Sequence, residues 1–515
     1  MKRALALPRL CALAFPLPLV AWLTACGGPA TPAATPRPPL VVPSISPPPA
    51  SAPLVTPDAP FRAKAPAPDG KVTFVAPKVQ ETKLKNGLRV LIVERHELPI
   101  VSVRLVAGIG AGDVPEAAPG LMSFLGAMLE QGTKKRDALK ISDDYEALGA
   151  QHGAWVDWDS GGVSARFLAE RLDPALDLFS DVALHPEFPE AEVERVRARR
   201  ISTIQQEQSS PQQIAQNAIA SSVYGRAHPY GHHIMGEEAD VKKITRADLV
   251  RVHDLMFVPQ NAALVVVGDV APASLMPRLE ATFGAWSGKG PALVRKSPKT
   301  PAPAKKHVVF VDKAGAQSQV QLVRPGVPFA ARDREAFAVA NAILGGMFSS
   351  RVNLNLREKN HFTYGARSHF AMRHGAGAFA VGASVHAEKT GAAIQELMNE
   401  LDSLKKDGPR DDELALAKES LRLALPGRFE STAEVGNAVA DLFVYDLPLD
   451  DYAQRPARIE AVTAADVKRV ASDYFDMAQL TVVVVGGKAD VLPQLAPLQL
   501  GTVEERDAFG NLVKP

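Results

Sequence analysis

An internal repeat constrains the fold of this chain more than any other feature. Residues 244–252 (Ile-Thr-Arg-Ala-Asp-Leu-Val-Arg-Val) align with residues 462–470 (Val-Thr-Ala-Ala-Asp-Val-Lys-Arg-Val), 218 positions later. The same offset pairs the apolar run 264–268 with 482–486, without a gap. Each copy predicts a threonine-capped helix followed by a buried strand. The chain is therefore expected to contain two homologous halves, each closed by this unit.

Hydrophobic patterning predicts both strands and helices in these halves. Residues 84–93 are typical of a strand, an Asn-Gly turn and a second strand. Helical patterns occupy 118–131, 137–149, 170–184, 190–207 and 211–224, and strands restart the order at 307–312 and 317–323. A Pro/Lys-rich run separates the two series. The predicted fold class is α+β, with a mainly antiparallel sheet and packed helices in each half.

The N-terminal segment is expected to be a targeting signal and not part of the fold. Basic residues precede an apolar stretch, and Leu23-Thr24-Ala25-Cys26 follows it. This order resembles a bacterial lipoprotein signal, in which residues 1–25 are removed and Cys26 is lipidated. A plain secretory signal is the alternative. Because Gly27 and not Asp follows the cysteine, the resemblance implies an outer-membrane address facing the periplasm.

Composition limits the remaining possibilities. Residues 27–70 hold fourteen prolines, a content that favours an extended tether between anchor and fold. The only cysteines are Cys11 and Cys26, so a mature chain has no thiol for a disulfide scaffold or a cysteine nucleophile. The formal net charge of +1 gives no reason to expect a nucleic-acid partner.

Residues 120–133, Gly-Leu-Met-Ser-Phe-Leu-Gly-Ala-Met-Leu-Glu-Gln-Gly-Thr, carry a family resemblance. The run resembles the zinc helix of the inverted zinc peptidases, the pitrilysin/insulinase and mitochondrial processing peptidase family, which reads G-L-x-H-F-L-E-H-M-L-x-x-G-T. Eight flanking positions match, and the three chemical positions do not. Ser123 and Ala127 replace the two histidines, and Gly126 replaces the glutamate. The resemblance implies two peptidase-like domains that form half of a clam-shell.

The third zinc ligand of the family is also missing. Aligning Ser210-Pro211 with the family's later Ser-Pro pair places Ser202 and Thr203 at the two glutamate positions. Hydroxyls and small apolar groups cannot supply the imidazole and carboxylate lone pairs that a catalytic zinc site requires. We therefore expect no catalytic residue and no metal in this chain, and zinc only in a partner chain. Glu207 is interpreted as a solvated helix residue, and the histidines of residues 228–233 as parts of a structural loop.

The second half keeps a substrate-binding signature. Residues 345–364 resemble the family run G-x-F-S-S-R-L-x-x-x-L-R-E-K-x-x-x-x-Y, so Arg357 and Tyr364 correspond to the pair that holds the substrate backbone near the zinc. Residues 154–158 resemble the family's edge strand, which implies that Ala154, Trp155 and Val156 bind an extended peptide. A helix salt bridge for the arginine and simple packing for the tyrosine are the structural alternatives.

These features define an expected organisation and function. The expected segments are a signal peptide (1–25), a Pro-rich tether (26–71), an N-terminal peptidase-like domain (72–287), a linker (288–306), a C-terminal peptidase-like domain (307–495) and a tail (496–515). The resemblance implies a lipid-anchored non-catalytic subunit that works with a homologous zinc-bearing peptidase subunit on extended peptides. The alternative is a homodimeric, chaperone-like pseudo-protease that binds peptides.

Overall fold

The computed structural model describes residues 59–63, 73–114, 118–290 and 297–513. The expected signal peptide, Cys26 and most of the tether lie outside the described residues. Within the described part of the chain, the helices are too short or too polar to cross a lipid bilayer.

The first half begins with a hairpin and continues as alternating strands and helices. The hairpin turn places Gly87 at φ 87°, and the Leu84 and Leu88 backbones pair across it, so a three-residue loop replaces the expected two-residue Asn-Gly turn. The strands are β1 (Gln80–Lys83), β2 (Arg89–Glu94), β3 (Ile100–Ala107), β4 (Gln151–Val156), β5 (Gly161–Leu168) and β6 (Ala262–Gly268). The helices are α1 (Leu121–Met128), α2 (Ala138–Ala147), α3 (Leu172–Leu184), α4 (Glu190–Glu207), α5 (Pro211–Tyr224), α6 (Glu238–Val241), α7 (Arg246–Met256) and α8 (Pro272–Phe283).

The second half repeats this order after residues 284–306, which contain no helix or strand in their described part. Its strands are β7 (His307–Asp312), β8 (Gln317–Pro325), β9 (Ala366–Phe370), β10 (Ala378–His386), β11 (Thr481–Gly486) and β12 (Val503–Glu505). Its helices are α9 (Arg334–Asn341), α10 (Arg351–Asn353), α11 (Thr390–Asp407), α12 (Asp411–Leu423), α13 (Thr432–Val444), α14 (Asp451–Ala461), α15 (Ala464–Tyr474) and α16 (Lys488–Leu495). Two π-helical turns, Ala342–Gly346 and Leu354–Lys359, flank α10.

Five of the six strands have the same order and direction in both sheets, which confirms the α+β fold and the repeat. The outer strands differ, since β1 is antiparallel to β2 and β12 is parallel to β7. The strand orders are β1-β2-β6-β3-β5-β4 and β12-β7-β11-β8-β10-β9. In each sheet the repeated apolar strand is central, parallel to one neighbour and antiparallel to the other. The repeated helices α7 and α15 begin with the same capping box, Thr245 with Asp248 and Thr463 with Asp466.

One helix of each half packs against the sheet of the other half. Helix α5 of the first half packs on β7, β8, β10 and β11, through Ile214, Ala218 and their neighbours. Helix α13 of the second half packs on β2, β3 and β6, through Val435 and Val439. Because each sheet buries one face under a helix from the other half, the two halves share an extensive apolar interface.

The C-terminal segment is a correction to the expected organisation. Residues 496–515 were expected to be a tail, yet β12 joins the second sheet parallel to β7. The chain then returns to the first half, where the Asn217 side chain donates to the carbonyl oxygen of Ala508 at 3.0 Å. An unpaired β7 edge would expose backbone donors and acceptors, and β12 satisfies them.

Candidate functional site

Helix α1 forms within the segment where the apolar pattern predicts a helix. Its buried residues include Leu121, Phe124, Leu125 and Met128, which contribute to the core of the first half. The helix begins after Gly120, whose φ of 86° is left-handed. A Cβ on Gly120 would lie 2.3 Å from the Met235 carbonyl oxygen, so the chain approaches too closely for any side chain. The helix is therefore fixed against the loop that precedes α6.

Arg200 occupies the polar side of this helix, and the sequence analysis did not identify it. Its guanidinium donates to Ser123 Oγ at 2.7 Å and to the Ser123 carbonyl oxygen at 2.9 Å. The Ser123 hydroxyl in turn donates to the carbonyl oxygen of Ile234 at 2.7 Å. The guanidinium also lies 5.2 Å from the centre of the Phe124 ring, a cation–π contact. The position of the first family histidine therefore anchors a buried cation.

Burial lowers the pKa of Arg200 to about 10, and the nearby Arg199 charge acts in the same direction, whereas Glu207 opposes them. The group is still cationic near neutral pH because that value lies well above 7. A divalent cation at this place would be repelled by the guanidinium.

Gly126, at the position of the catalytic glutamate, lets α1 contact the backbone of β4. A Cβ on Gly126 would lie 2.6 Å from the backbone nitrogen of Val156 and 2.9 Å from the carbonyl carbon of Trp155. The second half repeats the arrangement, since a Cβ on Gly345 would lie 2.3 Å from the backbone nitrogen of Ser368 in β9. Backbone atoms therefore close the space at the position of the family's glutamate in the first half, and the second half has a similarly close approach at Gly345.

The remaining two positions are equally unsuited to metal binding. Ala127 packs against the core of the first half. Thr203 Oγ1 donates to the Arg199 carbonyl oxygen at 3.1 Å, within its own helix. Within the described residues, no three or more His, Cys, Asp or Glu side chains are grouped so that they could hold a metal ion. The residues at the family's zinc site do not fit zinc.

Glu207 is not the solvated residue that the sequence analysis predicted. Its carboxylate is half-buried and lies 3.8 Å from Nε2 of His233. Burial raises the pKa of Glu207, opposed by the Arg200 charge. Burial lowers the pKa of His233 to about 4, and the Arg200 and His232 charges add to this effect. These groups form a polar cluster beside α1 because the loop before α6 carries both histidines back to α4.

Arg357 and Tyr364 lie on the surface of the second half. Arg357 belongs to the π-helical turn Leu354–Lys359, and its guanidinium lies 4.4 Å from the centre of the Phe348 ring. Tyr364 is 87% exposed and Phe348 is 68% exposed. The turn is anchored to α11, because Asn355 Nδ2 donates to the Glu396 carboxylate at 2.8 Å. This surface, defined by Phe348, Arg357 and Tyr364, is called the Arg–Tyr surface below.

The predicted role of Arg357 in a helix salt bridge is minor. Its Nε lies 3.3 Å from the exposed neighbouring Glu358 carboxylate, a pair that contributes little in water. Tyr364 has no hydrogen bond or ring contact within the described part of the chain. The structure therefore leaves both groups free to contact another molecule.

Strand β4 forms the edge of the first sheet, pairing only with β5. Ala154 and Val156 face the core of the first half, whereas Trp155 faces the opposite side and stacks 4.4 Å from the Arg104 guanidinium. The strand thus has the edge position that strand addition requires.

The His228-Pro229-Tyr230-Gly231 loop is structural, as predicted. The Tyr230 backbone N–H donates to His228 Nδ1 at 3.0 Å. The Tyr230 hydroxyl accepts from the Gly375 backbone at 3.1 Å, which joins the two halves. A Cβ on Gly231 would lie 1.8 Å from the Gly225 carbonyl oxygen, so only glycine fits. The loop therefore ties the first half to the second.

Comparisons with known proteins agree with this architecture. A family model described as insulinase (peptidase family M16) matches residues 89–238, and one described as the peptidase M16 inactive domain matches residues 243–421. An uncharacterized zinc protease of Streptomyces coelicolor is 25% identical over 402 residues, which cover 77% of this chain and 87% of the relative. One from Rickettsia bellii is 24% identical over 408 residues, covering 78% and 96%.

Solved structures show the same fold. A peptidase M16 inactive domain from Pseudomonas fluorescens is 27% identical, with a TM-score of 0.74, and the match covers 81% of this chain and all of that one. A protease from Helicobacter pylori also has a TM-score of 0.74, with 22% identity and coverage of 80% and 100%. With the repeated sheets and the run on α1, these matches show that the chain belongs to the insulinase (M16) peptidase family.

Proposed function

We propose that this chain is the non-catalytic subunit of a heteromeric zinc metallopeptidase. The observation that carries the proposal is the contrast between its two candidate sites. The zinc-motif positions hold the Arg200 guanidinium and closely packed backbone, whereas Tyr364 is exposed and the partly exposed Arg357 side chain contacts only Phe348 and Glu358 in the described part of its own chain. The residues at the zinc-motif positions cannot activate water, whereas Arg357 and Tyr364 can contribute to peptide binding.

The chemistry of the Arg–Tyr surface fits this role. A guanidinium and a phenol both donate hydrogen bonds, which can be directed at a peptide carbonyl and at the oxyanion that develops from it. The zinc and the general base would come from a homologous partner chain. In this chain, Ala154, Trp155 and Val156 on β4 would bind an extended peptide by strand addition.

The second candidate is a homodimeric, chaperone-like pseudo-protease. The open edge of β4 favours it, because peptide binding at that edge requires no metal and no second type of subunit. Both candidates place the protein in the bacterial envelope, held by a lipid on Cys26, and this address rests on the sequence of the signal alone.

Purification from the native cells distinguishes the two. The chain is isolated in mild detergent with an affinity tag at its C-terminus, and every co-purifying chain is identified and analysed for zinc. We expect a homologous chain with an intact H-x-x-E-H motif and one zinc, and no zinc in this chain. Recovery of this chain only with copies of itself favours the pseudo-protease. One tightly bound zinc in this chain overturns both candidates.

A further inference from the structure

The face of the first sheet that packs under α13 carries two arginines that lack carboxylate partners. Arg104 of β3 lies opposite Ser164 of β5, and Ser102 lies opposite Arg166. These four side chains share the face that points away from the core of the first half, because alternate residues of a strand face the same side. The two arginines are therefore diagonal neighbours, roughly 7–8 Å apart at the backbone.

Neither guanidinium is neutralised at close range. Arg166 donates to the side-chain oxygen of Gln151 at 2.6 Å, and within the described chain it lies in no ion pair. Arg104 stacks on Trp155, and burial lowers its pKa, opposed by the more distant Asp441 and Asp157.

The two carboxylates near Arg104 already have other partners. Asp441 contacts Arg428 at 3.3 Å, and Asp157 accepts backbone N–H groups of its own turn. The sheet face therefore has an excess of positive charge.

The arginines line a cavity of about 210 Å³ between this sheet face and α13. Ser102 and Ser164 add hydroxyls, and α13 contributes only the small residues Ala433 and Gly436. The Ser102 hydroxyl is already hydrogen-bonded to the Thr432 hydroxyl at 2.9 Å, so the two guanidinium groups and the Ser164 hydroxyl are the groups that suit a carboxylate side chain.

Gly153 opens this cavity toward the edge of the sheet. Gly153 pairs with Ser164, which pairs with Arg104 on its other side. A Cβ on Gly153 would meet no atom within 4 Å. Directly opposed residues in a sheet place their side chains on the same face. A peptide residue paired with Gly153 would therefore direct its side chain over the glycine, into the cavity.

We propose that this cavity selects an acidic residue in extended peptides that bind along β4. The proposal rests on the proposed peptide-binding role of β4 and adds its chemical preference. An aspartate or glutamate opposite Gly153 accepts hydrogen bonds from Arg104, Arg166 and the Ser164 hydroxyl. A neutral amide of the same shape satisfies fewer of these donors and leaves both charges uncompensated.

The test compares two fluorescein-labelled heptapeptides, Thr-Val-Thr-Glu-Thr-Val-Thr and the same sequence with Gln at the centre. Binding to the purified full-length chain is measured by fluorescence anisotropy. The matched variants are Arg104→Gln and Arg166→Gln, with Arg171→Gln as the control, since Arg171 is exposed and does not line the cavity. Unchanged thermal midpoints verify that each variant folds.

We expect the Glu peptide to bind about tenfold tighter than the Gln peptide, as one charge-assisted contact implies. Arg104→Gln and Arg166→Gln should each reduce this ratio to about threefold or less, and Arg171→Gln should preserve it. Equal binding of the two peptides, or a ratio that neither variant alters, overturns the acidic preference and leaves peptide binding at β4 intact. If neither peptide binds, both the acidic preference and the proposed peptide binding at β4 are overturned.

Discussion

The guanidinium of Arg200 lies 2.7 Å from the hydroxyl oxygen of Ser123, on the face of α1 that corresponds, by resemblance, to the family's zinc motif. The Ser123 hydroxyl donates a hydrogen bond to the Ile234 carbonyl oxygen, so one serine connects α1, α4 and the loop before α6. Loss of the metal site in this chain is therefore a replacement by a hydrogen-bonded cation and not a vacant space.

Ser123→Ala should lower the free energy of unfolding by about 1–3 kcal/mol. The substitution removes an acceptor of Arg200 and leaves the Ile234 carbonyl without this donor, and unsatisfied buried groups cost about that much. Thr203→Ala is the control at a second zinc-motif position, where the change should stay within about 0.5 kcal/mol because the hydroxyl bonds only within its helix. Urea denaturation measures both, and equal effects would contradict the structural role of Ser123.

Restoring the ligand residues should not restore zinc binding. In a variant carrying Ser123→His, Gly126→Glu, Ala127→His and Thr203→Glu, the new glutamate on α1 would collide with the β4 backbone, 2.6 Å from the Val156 nitrogen. Backbone atoms of a paired strand cannot rotate away, so overpacking costs about 1–3 kcal/mol or more.

Metal analysis after dialysis should show no stoichiometric zinc in either the unmodified chain or this variant. Gly427→Ala is the packing control, since a Cβ there meets no atom within 4 Å. One zinc per variant chain at unchanged stability would show that the site lacks only its ligand residues and that the β4 backbone does not block it.

The general architecture could be predicted from sequence because it depends on local and periodic signals. The capping boxes at Thr245 and Thr463 and the apolar strands that follow them are contiguous in sequence, so the repeat was visible.

What replaces the ligands could not be predicted. Arg200 reaches Ser123 from a helix 77 residues away in sequence. It shares the buried stripe of α4 with Val196 and Ile204, but that stripe does not show which residue the guanidinium contacts. The exchange of α5 and α13, and the return of β12 to the sheet, also depend on long-range packing. Amphipathic patterns fix which side of a helix is buried but not which sheet buries it.

Acidification should destabilise the protein through His233. Its pKa falls from the ordinary 6.5 to about 4 in the folded state, first because of burial. A depressed pKa gives stability that is present above pH 6.5 and is lost as the pH falls toward 4. By pH 5 the loss should be on the order of 1–2 kcal/mol.

The check is urea denaturation between pH 7 and pH 5. His233→Gln should show a smaller decrease than the unmodified chain, and the exposed His386→Gln should show the same decrease. The other buried histidines with lowered pKa values, such as His232, account for the decrease in unfolding free energy that remains in the variant. An identical pH profile for His233→Gln would contradict the assignment.

The N-terminal expectation is tested by mass. The apolar run that ends in Leu23-Thr24-Ala25-Cys26 predicts that residues 1–25 are absent from the mature protein and that Cys26 carries lipid. Intact-mass measurement on protein extracted from the cell envelope should give the mass of residues 26–515 plus the acyl groups. Cys26→Ser should give an unprocessed or unacylated chain, and an unmodified Cys26 in the native protein would refute the lipid anchor.

We propose that this chain assists a zinc-bearing partner through Arg357 and Tyr364. Steady-state cleavage of a peptide by the reconstituted complex, with Arg357→Ala or Tyr364→Phe in this chain, tests this contribution. Arg332→Ala, an exposed arginine of the same half, is the control, and size-exclusion chromatography verifies that each complex assembles. Donors that act in the transition state contribute about 10²–10³ in kcat, whereas a contribution to substrate binding alone would raise KM. We predict a decrease in kcat of this order for both variants and none for the control; cleavage by both variant complexes at the unmodified rate would contradict the account.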